Sequence, residues 1–93
     1  MKELDYLFPG YEIDLAAFWQ VVNNLPENPR WRYSRKRAVL LRLDGDGTKL
    51  NTFAEIARLM GLQGREHARR IFYQAVSMLR HPTRLEKFTR KVN

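Results

Sequence analysis

Apolar residues recur along this chain at steps of three and four, and no stretch alternates apolar with polar as a strand does. Leu15, Phe18, Trp19, Val22 and Leu25 share one face of a helix that Asp14 is placed to cap and Pro26 to stop. In PENPRWRY two prolines and Asn28 disfavour helix, and Ser34 then caps a shorter one through RKRAVLLRL. Its stripe is Val39, Leu40 and Leu43, with Arg35, Lys36, Arg37 and Arg42 expected in water. The DGDG at 44–47 is a loop, because two glycines in four residues weaken any helix. Thr52 and Glu55 have the spacing of a capping box for TFAEIARLM, and Gly61 suits that helix's left-handed end. Ala68, Ile71, Phe72, Ala75, Val76 and Leu79 then mark the buried side of a longer helix over roughly 65–80. Pro82 closes it, and Thr83 is a cap for a last basic turn or two.

The expectation is an all-α fold, a small helical bundle of four to five helices over residues 14–93. Residues 1–13 precede it as an arm. MKELDYLFPGYE mixes Tyr6, Phe8 and Tyr11 with a Pro9-Gly10 turn, which reads as an ordered arm packed on the rest and not as a helix.

Ninety-three residues suffice for one domain, and 44% apolar residues suit a folded one. The absence of cysteine excludes disulfides, thiolate metal sites and thiol catalysis, and fits a reducing compartment. No apolar run approaches the ~20 residues that span a bilayer, and no signal-like start is present. A cytoplasmic monomer without membrane contact is expected. Charge adds direction: 17 Lys and Arg oppose 10 Asp and Glu, and they are unevenly spread. Residues 1–29 are acidic, with Glu3, Asp5, Glu12, Asp14 and Glu27 against Lys2. Arg30, Arg32, Arg35, Lys36, Arg37 and Arg42 follow with no acid among them, and the chain beyond residue 51 is basic again. Such a balance speaks to partners, and it invites a polyanion.

Two motifs compete for attention. Asp44, Asp46, Thr48 and Glu55 fall at offsets 1, 3, 5 and 12 of a calcium loop. Offset 6 needs glycine for the sharp turn and is Lys49, a cation, while Glu55 already has a capping role. The glycine-rich turn is the simpler reading, and no metal or cofactor is implied. The second motif is a helix-turn-helix. Ile56 and Ala57 pack at the crossing, Met60 is a lid, Gly61 turns, Leu62 plugs, and Ala68 and Ile71 complete the contact. Arginines cluster where the second helix begins.

At TFAEIA (52–57), Arg65-Glu66, Ala68-Arg69, Ile71, Ala75 and LRHPTR (79–84) the chain resembles the C-terminal promoter-reading domain, domain 4, of the sigma-70 family. The Leu-Arg-His-Pro-Thr-Arg ending is the most particular part. The likeness is close over residues 52–84, looser over 16–51, where FWQVVNNL and AVLLRLDGDG resemble the preceding helices and acidic loop, and absent before residue 16.

The resemblance implies a protein that reads a −35-type element in double-stranded DNA and docks on the β flap of core RNA polymerase. Carried over by position, Arg65 would address guanine O6/N7 and Glu66 would accept from cytosine N4. Arg69 and Arg70 would reach further base edges or phosphate. Phosphate contacts would come from Thr52 with the amides at its helix start, and from Arg58, Arg80 and Arg42. Phe18, Trp19, Val22 and Leu40 would line the groove that grips the flap. His81 reads as a packed or capping histidine rather than a base.

Three departures stand out. The turn Gly61-Leu62-Gln63-Gly64 is one residue longer than the family's, most simply at Gly64. Arg70 stands where the family has glutamine, which shifts preference from adenine towards guanine or converts a base contact into a phosphate contact. PENPRWRYS enlarges the loop between the first two helices. The chain cannot hold the domains that melt the −10 region, so it is either an excised domain or a small stand-alone protein, and Met1 with an acidic aromatic arm favours the second. The alternative is a sigma-mimicking protein–protein module that binds the polymerase or another transcription protein, with weak DNA binding and the arm covering the basic helix. No nucleophile–base pair, paired carboxylates or phosphate-cradling loop occurs at workable spacing, so an enzyme is not expected.

Overall fold

The computed structural model describes residues 2–92, in the order α1 Glu3–Leu7, β1 Tyr11–Ile13, α2 Leu15–Asn23, α3 Arg35–Arg42, α4 Phe53–Met60, α5 Arg65–Leu79, α6 Pro82–Phe88 and β2 Thr89–Lys91. Local capping chemistry sets most of these boundaries. Asp14 Oδ1 accepts the Ala17 amide at 3.1 Å and starts α2. Ser34 Oγ accepts the Arg37 amide at 3.0 Å and starts α3. Thr52 and Glu55 exchange two bonds at the head of α4, with Thr52 N donating to Glu55 Oε1 at 3.1 Å and Glu55 N to Thr52 Oγ1 at 3.2 Å. Gly61 ends α4 at φ +69°, in the left-handed region where a Cβ is unwelcome.

The molecule is mostly helical, but it departs in two places from the expected bundle of four to five helices. β1 and β2 pair antiparallel, Tyr11 opposite Lys91, Glu12 opposite Arg90 and Ile13 opposite Thr89. Three-residue strands are too short to print an alternation, and each exists only because the other end of the chain lies beside it. The second departure is α1. Asp5 Oδ2 accepts the Lys2 amide at 3.1 Å, and the short helix buries Leu4 and Leu7, with Phe8 just beyond it. The 3–4 spacing of these three residues was present in the sequence, behind the Pro9-Gly10 turn that follows. A further boundary moves: His81, not Thr83, caps α6, its Nδ1 accepting the Thr83 amide at 3.4 Å while Pro82 takes the first helical position.

Phe8, Phe18 and Phe88 meet edge-on at the centre, with ring centroids 5.2–6.2 Å apart. Burying three aromatics from the two termini and α2 ties the ends of the chain to the bundle. Val22, Ala38, Val39, Phe72, Ala75, Val76 and Leu79 continue this core along α2, α3 and α5.

Candidate nucleic-acid interface

α4 and α5 pack through Ile56, Ala57 and Ala68, all buried, with Leu41, Phe53, Met60 and Leu62 closing around them. Alanine at 57 and 68 lets the two backbones approach. Leu62 N donates to Ala57 O at 2.8 Å across the turn, which holds Leu62 against the junction. Gly64 precedes α5 with extended backbone and has no side chain to cap it, so the first amides of α5 are left to solvent or a ligand.

Six residues of α5 are buried on one side: Ala68, Ile71, Phe72, Ala75, Val76 and Leu79. The other side is a polar ridge. Arg65, Glu66, Arg69 and Arg70 occupy the first two turns, and all four are exposed. The Arg69 guanidinium carbon lies 5.0 Å from the Tyr73 ring centroid, which braces it along the helix. Arg42–Glu3 is the single ion pair among the described residues, so Glu66 is not paired with Arg69 or Arg70. The cationic tip of α5 is therefore electrostatically uncompensated by direct contact.

The residues assigned to phosphate divide. Thr52, the cap of α4, and Arg58 on it are exposed. The capping box occupies the amides of Thr52 and Glu55 and leaves those of Phe53 and Ala54 without intrahelical partners. Arg80 is exposed at the far end of α5, where Nε and Nη2 both donate to Leu7 O. Arg42 is a correction. It is buried, with Nη1 donating to Asn51 O at 3.0 Å, Nη2 3.5 Å from Glu3 Oε2, and its guanidinium carbon 3.9 Å from the Phe53 ring centroid. It braces the 44–51 segment against α1 and α4 and cannot reach a phosphate.

The groove residues divide likewise. Phe18 and Val22 have no exposed surface, because they point into the aromatic core, and neither can line a docking groove. Trp19 is half-buried, and its Nε1 donates to Gly45 O at 3.0 Å, fastening α2 to the 44–48 turn. Leu40, on the apolar stripe expected for α3, is 42% exposed, while Ala38 is buried there beside Val39.

The 44–48 turn is satisfied from within. Asp44 Oδ1 accepts the amides of Asp46 and Thr48 at 2.9 and 3.2 Å, and Oδ2 accepts the Thr48 hydroxyl at 2.6 Å. These bonds, the Thr48 hydroxyl foremost, hold the Asp44 carboxyl below its usual range. Glu55 is likewise lowered by its bonds with Thr52.

A basic feature missed as a site lies in the 28–34 loop and the first residue of α3. Asn28 folds it, accepting Trp31 N on its carbonyl oxygen and Arg30 N on its side chain, both at 2.9 Å. The Arg35 guanidinium carbon sits 4.4 Å from the Trp31 ring centroid. Arg35 also donates to Tyr33 O at 2.9 Å and to Gln74 Oε1 on α5 at 2.7 Å. Tyr33 meets His67 edge-on, with centroids 5.2 Å apart. Between loop and helix opens a shallow cavity of about 350 Å³, walled by Arg30, Arg32, Arg35 and Arg70 among others and by no acid. The available signal was the acid-free basic run interleaved with Trp31 and Tyr33.

Compared with family models, curated proteins and solved structures, the chain gives no match.

Proposed function

We propose that this chain binds double-stranded DNA, the α4–α5 pair acting as a sigma region-4-like helix-turn-helix that reads a −35-type element with the first turns of α5. One observation carries the reading: Arg65, Glu66, Arg69 and Arg70 are exposed together at the amino end of a helix whose opposite face is sealed in the core. An exposed helix suits the width of a major groove, an arginine fork suits guanine, and a carboxylate suits the cytosine amino group. The acidic arm does not oppose this. α1 is bound to Arg80, at the opposite end of α5 from Arg65 and ~20 Å away along a helix rising 1.5 Å per residue.

Docking on the polymerase β flap is the second half of the proposal. With Phe18 and Val22 closed, it would use Leu40 and the accessible edge of Trp19.

The test is fluorescence anisotropy with a labelled −35-type duplex and a scrambled one, across a salt series. The parent is expected to bind with a steep salt dependence and to prefer one duplex. Arg65→Ala/Arg69→Ala is expected to lose that preference. No salt-sensitive binding by the parent, or a double variant indistinguishable from it, overturns the reading. A Leu40→Asp variant that pulls down RNA polymerase core as well as the parent does would remove the docking half.

A further inference from the structure

The α5 ridge is flanked on both sides, and the flanks differ in origin. Phe53 of α4 packs against Phe72 and Tyr73, with centroids 5.7 and 6.4 Å apart. On the other side, Tyr33 meets His67 and Arg35 meets Gln74. His67 and Gln74 are seven residues apart, hence on one face of α5, and they pin the loop alongside the helix for two turns. Glu66, Arg70, Tyr73 and Ser77 run between the flanks at steps of three and four. A helix that enters a major groove has a phosphate rail on each side. α4 is placed for one, and the loop for the other.

From this we infer that residues 28–35 form a second phosphate-binding flank, which grips the sugar–phosphate backbone of the strand opposite the one met by α4. The inference rests on the proposed duplex binding and adds to it the residues Arg30 and Arg32. Both are exposed, both wall the acid-free cavity with Arg70, and neither is ion-paired among the described residues. Arg32 lies beside Tyr33, its guanidinium carbon 5.5 Å from that ring's centroid. Arg35 has a different part: its donors go to Tyr33 O and Gln74, so it positions the loop. Its place over Trp31 also covers one face of that ring, which disfavours stacking of an unpaired base and points to backbone charge as the ligand. The nearby acid, Glu27, accepts the Ser34 hydroxyl at 2.6 Å at the base of the loop and is not part of the cavity wall.

The experiment compares the parent, Arg30→Ala/Arg32→Ala and Gln74→Ala on the preferred duplex, the scrambled duplex and a single strand of the same length, from about 50 to 200 mM salt. Each phosphate contact contributes about 0.9 to the slope of log K against log salt. The double variant is expected to flatten that slope by about 1.8 and to weaken both duplexes by the same factor, leaving the preference between them intact. Gln74→Ala, which releases Arg35, is expected to move the same way by less. Circular dichroism checks that each variant keeps its helices. A parent that binds no duplex overturns the DNA reading itself. A parent that binds, with a double variant of unchanged slope, overturns the loop assignment alone. A loss confined to the single strand, or a change of sequence preference, also overturns it.

Discussion

Arg80 donates from Nε and Nη2 to the carbonyl oxygen of Leu7, at 3.1 and 2.7 Å, across seventy-three residues of sequence. This one guanidinium joins the end of α5 to the end of α1, and its carbon lies 6.0 Å from the Phe8 ring centroid.

Arg80→Ala should therefore act on stability. Losing a charged donor pair that is partly open to water costs about 1–2 kcal/mol, which lowers Tm by roughly 4–16 °C in a domain of this size. Thermal melting followed by circular dichroism measures it. If Arg80 is a phosphate ligand instead, Tm stays put and the salt slope of DNA binding falls.

Arg42 and Glu3 form a partly buried ion pair, their side chains 11% and 18% exposed, and the Arg42 Nε is buried with no partner. Arg42→Ala should cost about 2–4 kcal/mol through the lost pair and the lost contact with Phe53. Arg42→Met keeps the stem against Phe53 and removes the orphan Nε, so it should cost less than half as much. Denaturant unfolding of the two variants gives the ratio, and equal losses would refute the packing account.

Gly47 and Gly61 both have positive φ, at +79° and +69°, yet their surroundings differ. A Cβ on Gly47 would collide with Cγ and Cδ1 of the buried Leu4, whereas one on Gly61 would meet open space. Gly61→Ala should cost about 1 kcal/mol of backbone strain and Gly47→Ala about 2–4, strain and overpacking together. Chemical denaturation ranks them, and a Gly61→Ala loss as large as that of Gly47→Ala would refute the contact with α1.

Asp44 and Glu55 are both lowered from ordinary values of 3.8 and 4.5, Asp44 by its bonds with Thr48 and Glu55 by those with Thr52. A carboxylate lowered in the folded state stabilises it fully above its unfolded pKa and loses that effect as pH falls through the folded one. The part of the stability that these two groups supply should thus be level above about pH 5 and decline below pH 4. In Tm measured from pH 7 to pH 2, Asp44→Asn and Glu55→Gln should each show a shallower acid decline than the parent. A parallel decline would refute the assignment.

The starts of α2, α3 and α4 were legible in the sequence because they are local. Asp14, Ser34 and Thr52 cap within three residues of themselves, and the apolar spacing of α5 names its buried face without reference to any partner. The exposure of Arg65, Glu66, Arg69 and Arg70 follows from that spacing. What only the tertiary structure decided involves partners far apart in the chain. Three-residue strands and a five-residue helix have too little local free energy to declare themselves, and they form because residues 2–13 are met by residues 80–92. Arg42 looked solvated by its place in a basic helix, but Glu3 and Phe53 enclose it. Phe18 and Val22 looked able to line a groove, but Phe8 and Phe88 close over Phe18 and Val22 is buried in the same core. Arg30 and Arg32 gained a position beside α5 only when Tyr33 and Arg35 found His67 and Gln74, and no periodicity along the chain encodes a contact between residues that distant.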